Sequence, residues 1–133
     1  MDEPLTTDDK GQVAFLKVQI EAARKRATVL LPTTPKRYDL VLEWQGRFYR
    51  CQVKYADGKT QHSQGAVFLD LRRRKKTYSQ EEIDAVLVYL PPIDKVIWLP
   101  PALFHEKAAL CLRWLPAKNG QRRGCIMVDE LVW

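Results

Sequence analysis

Cysteine is scarce in this 133-residue chain: Cys51, Cys111 and Cys125 are odd in number and show no Cys-x-x-Cys spacing. That pattern excludes a disulfide-dense secreted scaffold and a cysteine-built zinc knuckle. The expectation is reduced, structural thiols, in keeping with a cytoplasmic protein. Histidine is scarcer still. His62 and His105 lie far from each other and from any cysteine pair, which argues against a zinc site. No apolar run approaches the roughly 20 residues that span a bilayer. The N-terminus is acidic and polar, without the apolar stretch of an export signal. Repeats, low-complexity tracts and interdomain linkers are also missing, so one soluble domain over residues 1–133, with no membrane partner, is expected.

Positive charge is what the chain has in excess. Lysine and arginine number 22 against 16 aspartates and glutamates, a net charge of +6, with a pI near 9.3. Such a balance favours polyanionic partners. The surplus is concentrated in Arg72-Arg73-Arg74-Lys75-Lys76, directly after the apolar run Ala66–Leu71. A basic block at a strand end suits contact with a nucleic-acid backbone, and a solvated turn is the plain alternative. Arg24-Lys25-Arg26 carries less weight, because basic residues at a helix C-terminus complement the macrodipole. Arg122-Arg123 extends the basic surface. Gln61 and His62, in a polar loop, are further candidate DNA contacts beside the reading as an ordinary loop.

The order of elements points to an α/β fold. A helix is expected over about Lys10–Arg26, capped by Asp8 or Asp9. Its buried stripe would be Val13, Leu16 and Ile20, with Phe15 and Ala23 beside them. Thr28–Leu31 reads as a short buried strand stopped by Pro32. Ala66–Leu71, Ala85–Leu90 and Lys95–Leu99 read as further strands. Ser79-Gln80-Glu81-Glu82 has a capping-box pattern and a single helical turn is expected there. A short helix is expected near Pro101–Lys107. A tail follows, with Leu110–Leu115, a turn at Lys118-Asn119-Gly120, and Cys125–Val128.

The most informative stretch is Tyr38–Trp44, Gln45-Gly46, then Arg47–Tyr55. Period-two alternation around a two-residue, glycine-containing break is the signature of an antiparallel hairpin. If Gln45 and Gly46 form the loop, Trp44 pairs with Arg47. Extending that register sets Asp39 opposite Gln52, with Lys54 on the same face two residues on. Tyr38, Leu40, Leu42, Trp44, Tyr49, Cys51, Val53 and Tyr55 form the core face. The polar trio suits phosphodiester chemistry. The Asp39 carboxylate is a hard oxygen ligand for Mg²⁺. The Gln52 carbonyl can orient the metal or a water, and the Lys54 ammonium can stabilise charge on the attacked phosphate or acidify the attacking water. The plain alternative is a half-exposed hairpin with a surface Asp–Lys pair. A protein-interaction domain using exposed tryptophans is a further reading, although Trp44 and Trp98 fall in strand patterns that usually mean core.

Tyr38-Asp39 on one strand followed by Gln52-Val53-Lys54 on the next resembles the core of the PD-(D/E)XK nuclease superfamily. With glutamine in the second acidic position, the chain is similar to the branch that includes homing endonucleases of bacterial group I introns. Lys10-Gly11, Pro32, Tyr78 ahead of Glu82-Ile83-Asp84, Val88-Tyr89, Leu99-Pro100 and Asn119-x-Gln121 extend the likeness from about residue 10 to 125. The resemblance implies a restriction-endonuclease-like mixed β-sheet flanked by helices and a Mg²⁺-dependent DNA endonuclease. Asp39 and Gln52 would be metal ligands and Lys54 the catalytic lysine. One site per chain and two strands to cut imply double-stranded DNA as partner and a homodimer or homotetramer. The chain departs from the pattern in its first helix, where relatives often carry a glutamate and it has Ala14-Phe15. Gln12, Gln19 and Glu21 are the nearby substitutes. A junction-resolving or repair nuclease, or a DNA-binding relative without activity, are the alternatives.

Overall fold

Thr6 sets the start of the one long helix among the described residues. Its hydroxyl accepts the Asp9 N–H at 3.1 Å and the Asp9 carboxylate accepts the Thr6 N–H at 3.0 Å, a reciprocal capping box. Helix α1 therefore spans Thr7–Arg24, three residues earlier than the apolar periodicity places it. The computed structural model describes residues 3–58, 64–117 and 124–133. The buried stripe of α1 is Ala14, Val18 and Ala22, with Val13 and Phe15 half-buried beside it. Leu16 and Ile20, expected in the core, are each 46% exposed. Spacing of four puts the two alanines and Val18 in one row. Their small side chains let the helix approach the sheet closely, and the larger leucine and isoleucine fall outside that contact.

The strands are β1 (Thr28–Leu30), β2 (Leu40–Trp44), β3 (Arg47–Tyr55), β4 (Ala66–Asp70), β5 (Arg72–Arg73), β6 (Lys76–Thr77), β7 (Ala85–Leu90), β8 (Lys95–Leu99), β9 (Ala109–Arg113) and β10 (Cys125–Met127). A second helix, α2, covers only Pro101–Phe104. The main sheet has the order β1-β2-β3-β7-β8 and is mixed. β3 and β7 run parallel, and the other pairs are antiparallel. Every residue of β7 is buried, as the unbroken run Ala-Val-Leu-Val-Tyr-Leu requires of a central parallel strand. Because β7 occupies the free edge of β3, β4 joins a second sheet of order β10-β9-β4. β1, expected to be buried, is an edge strand with Thr28 and Leu30 exposed.

The two faces of the main sheet have different covers. Leu40, Leu42, Cys51, Ala85 and Leu87 pack against α1, and Trp44, Tyr49, Trp98 and Trp133 form an aromatic cluster around that face. Val86, Val88, Leu90, Ile97 and Leu99 pack the other way, against Val67, Leu69 and Leu112 of the second sheet and Phe104 of α2. The arrangement is thus a mixed sheet with a helix on one face and a smaller sheet on the other. At Ser79 the chain makes a single turn. The serine hydroxyl bonds Glu81 at 2.8 Å, not the Glu82 of the expected box, and the Ile83 N–H reaches the Ser79 carbonyl at 3.1 Å.

The cysteine expectation needs correction. Cys111 and Cys125 are disulfide-bonded, with Cα atoms 4.5 Å apart, because β9 and β10 are parallel neighbours with these two residues in register. They stand 14 positions apart in sequence, and spacing alone does not reveal the pair. Cys51 is free and buried as expected, and burial pushes its thiol well up.

A charged clamp fixes the entry into β7. The Asp84 carboxylate accepts the Arg50 Nε–H at 2.9 Å, its Nη2–H at 3.1 Å and its backbone N–H at 2.8 Å. The Asp84 N–H returns to the Arg50 carbonyl. The Arg50 hydrogen bond holds the Asp84 carboxyl below its ordinary value. A lowered carboxyl pKa stabilises the fold above the unfolded value of about 3.9 and loses that contribution as pH falls through the folded value. Asp84→Asn should therefore cost about 1–2 kcal/mol at pH 7 in urea unfolding, a figure reduced for partial exposure. The difference from wild type should narrow below pH 4. An equal gap at pH 3 and pH 7 would contradict this.

Candidate active site

The hairpin register is the expected one near the turn. Trp44 pairs with Arg47 and Leu40 with Cys51, and the loop residues Gln45 and Gly46 have φ of 50° and 77°, the double left-handed geometry of a type I′ turn. The ladder stops at Leu40 and does not extend to an Asp39–Gln52 pair. Instead the Asp39 N–H donates to the Cys51 carbonyl at 2.8 Å, and Asp39 Oδ2 accepts the Val53 N–H at 2.8 Å. The carboxylate thus takes the place of a backbone carbonyl and is pinned where β2 and β3 part. Asp39 and Lys54 form no ion pair with each other among the described residues, so the surface-pair alternative does not describe them. Burial raises the Asp39 carboxyl above its ordinary value, opposed by the Val53 hydrogen bond and by Arg73 and Lys54.

Gln52 sits in β3 beside Val86 of β7 and is 7% exposed, the one polar residue in the described core. Its Oε1 is buried and has no hydrogen-bond partner among the described residues. A buried carbonyl oxygen without a donor is costly, and a cation is a partner that would satisfy it. Lys54, two residues on, is half-buried, and burial lowers its ammonium from the ordinary lysine value, with Asp70 and Asp39 opposing that shift. Its Nζ lies 5.4 Å from the centre of the Tyr78 ring.

Two concavities flank these residues. A cleft of about 350 Å³ is lined by Pro32, Thr33, Lys36, Tyr38, Asp39 and Arg73. A groove of about 440 Å³ includes Lys10, Lys54, Tyr55, Phe68 and Asp70. The acids of α1 do not complete the site. Ala14 is fully buried in the helix–sheet contact, and Glu21 is engaged by Arg24 at 2.9 Å and Lys25 at 3.2 Å. Among the described residues, no three His, Cys, Asp or Glu side chains cluster as a metal cage. A divalent cation would therefore rest on the Asp39 carboxylate, the Gln52 carbonyl and oxygens from solvent or substrate. That donor set suits a hard cation that keeps its waters.

The basic block forms a small hairpin, β5–β6, with Arg74 and Lys75 at its tip and both at positive φ, 53° and 64°. Arg37 braces it, donating to the carbonyls of Arg73 at 3.3 Å, Lys76 at 3.1 Å and Thr77 at 2.9 Å. The members of the block differ in their surroundings. Arg73 donates to the Lys36 carbonyl at 3.2 Å and lines the cleft with Asp39, and Arg72 bonds Asp70 at 3.1 Å. Arg74, Lys75 and Lys76 are exposed, the last with a loose 3.8 Å contact to Glu82. Gln61 and His62, and Arg122 and Arg123, lie outside the described residues.

Two residues given no role by sequence reasoning join the site. Tyr78 is 0% exposed, its hydroxyl lacks a partner among the described residues, and burial pushes the phenol up to about 12, so it is neutral at physiological pH. Arg37 stacks over the same ring at 4.5 Å. The only sequence signals were the place of Tyr78 in the family-like flanking pattern and the position of Arg37 directly before Tyr38-Asp39.

No curated protein matches the chain. The solved structure of a bacterial homing endonuclease, I-Ssp6803I, is similar in fold: TM-score 0.71 at 22% identity, over 90% of this chain and 83% of that one. The family model for PD-(D/E)XK endonuclease matches residues 5–130. With that match spanning nearly the whole chain, and the Asp39, Gln52 and Lys54 segments meeting where β2 and β3 part, the chain belongs to the PD-(D/E)XK endonuclease family.

Proposed function

We propose that this nuclease is a Mg²⁺-dependent DNA endonuclease, a site-specific homing enzyme acting on double-stranded DNA as a homodimer or homotetramer. The observation that carries the metal reading is the buried Gln52 Oε1, without a donor among the described residues, on the strand residue before Val53, whose N–H anchors the Asp39 carboxylate. Asp39 supplies the negative charge of the metal site and Gln52 a neutral oxygen. These two residues would hold a divalent cation, which would supply Lewis-acid neutralisation of phosphate charge and a more acidic water. Lys54 stabilises the charge that builds on the phosphate in the transition state. Arg73, Arg74, Lys75 and Lys76 hold the DNA backbone beside the site, a contact blind to sequence. The homing role is supported by the fold shared with a bacterial homing endonuclease. The assembly follows from one site per chain and two strands to cut.

A second reading, a DNA-binding relative without cleavage, is favoured by one observation: fully buried Ala14 stands where a first-helix acid would be. Supercoiled plasmid carrying candidate sites separates the two. Nicking and linearisation with Mg²⁺ that stop on adding EDTA support the enzyme. Tight, salt-sensitive binding with no cut under Mg²⁺ or Mn²⁺ supports the binding module. Preferential cutting of four-way junctions would replace the homing role with a junction-resolving one.

A further inference from the structure

Phe68 breaks the burial pattern of β4. Its neighbours Val67 and Leu69 are each 5% exposed, while Phe68 itself is 59% exposed. Alternation puts Phe68 and Asp70 on one face of the strand, and both line the groove of about 440 Å³. A single exposed phenylalanine is ordinary on a protein surface, and its place is what distinguishes this one. Lys54 lines the same groove. The groove's other charges are already matched: Asp57 meets Lys10 at 3.4 Å, and Asp70 meets Arg72 at 3.1 Å. Lys54 is in no ion pair among the described residues, and its ammonium lies over the Tyr78 ring. The groove therefore sets an unmatched cation beside an apolar wall. A DNA strand complements both, with a charged phosphate and the C–H surface of its sugars. The carboxylates that act on Lys54 are Asp70 in this groove and Asp39 in the neighbouring cleft, so the lysine stands between the two. β4 also leads through Leu71 directly into the basic hairpin β5–β6, which makes Phe68 continuous with the proposed DNA contacts of that hairpin.

We propose that Phe68 is a substrate-positioning residue, whose ring packs against a sugar of the DNA strand lying in this groove. The phosphate next to that sugar is thereby set against Lys54. The contact reads no base edge, so it is blind to sequence. It also brings no charge, so it adds to affinity and register without changing how many counterions the DNA releases. This assignment rests on the nuclease reading above, and its test has a binding arm that needs no cleavage.

In that arm, a short DNA duplex is titrated in EDTA with wild type, Phe68→Leu and Phe68→Ala across a series of salt concentrations. Phe68→Ala should bind about 10-fold more weakly at every salt concentration, with the slope of log K against log salt unchanged. Phe68→Leu keeps an apolar wall and should lose less than about 3-fold. Both variants should melt no lower than wild type, because the ring is mostly exposed. In the cleavage arm, the single-turnover rate on plasmid DNA with Mg²⁺, at saturating protein, should fall about 10-fold in Phe68→Ala. A Phe68→Ala protein that binds like wild type, or that cuts like it at saturation, overturns the assignment. So does a loss of affinity that comes with a changed salt slope, since the effect would then be electrostatic. A variant that melts well below wild type also overturns it, because the ring would then be structural. A wild type that binds the duplex but cuts under no divalent cation sinks the nuclease reading alone, and the binding arm still decides Phe68. A wild type that binds no DNA overturns both.

Discussion

Replacing Lys54 with methionine is expected to lower Mg²⁺-dependent DNA cleavage by about 10²- to 10³-fold while leaving the protein folded. Methionine keeps the length of the chain over the Tyr78 ring and removes an ammonium whose burial is unfavourable in the free protein. Stability should therefore hold or rise, and the loss falls on charge stabilisation at the phosphate. Asp39→Asn is the companion change. Its amide oxygen can still accept the Val53 N–H, so the β2–β3 fork survives, while the charge that attracts a cation is gone. Cleavage should drop at least as far. DNA binding in EDTA should be unchanged or tighter, because a negative charge has left a basic surface. Groups acting on one phosphate are not additive, so the double variant should fall little below the weaker single one. Metal-dependent nicking that persists in both Lys54→Met and Asp39→Asn would remove these residues from the mechanism.

What the sequence made legible follows from the range of each signal. The hairpin register was readable because Gln45-Gly46 fixes a type I′ loop and alternation fixes the faces. The central place of β7 was implicit in its unbroken apolar run. The end of the ladder at Asp39 was not readable, since an aspartate side chain that bonds Val53 in place of a backbone carbonyl looks like one more strand residue in sequence. In α1, Leu16 and Ile20 satisfied a helical stripe, yet Ala14, Val18 and Ala22 won the contact because depth of approach depends on the sheet beneath. Cys111–Cys125 and the transfer of β4 to the second sheet both depend on β9, a partner remote in sequence. Tyr78 has the same origin. Arg37 and Lys54 reach its ring from segments remote in sequence.

The double change Arg74→Asn with Lys75→Gly separates the fold of the basic hairpin from its use. Both positions have positive φ, where asparagine and glycine are at ease and arginine and lysine are not. The variant turn should be at least as stable as the natural one, and Arg37 still braces the hairpin through the carbonyls of Arg73, Lys76 and Thr77. Two exposed cations have nevertheless been removed. If each meets a DNA phosphate, the slope of log K against log salt should become shallower by roughly 1.8, at about 0.9 per contact. Affinity at physiological salt should fall roughly 10- to 100-fold. Melting temperature should be unchanged or higher, which excludes unfolding as the cause. A sequence that places arginine and lysine in a turn suited to asparagine and glycine gives up local stability, a cost that the proposed DNA contact would offset. An unaltered salt slope in this variant would show instead that the tip of the hairpin is an ordinary solvated turn and that the DNA lies elsewhere.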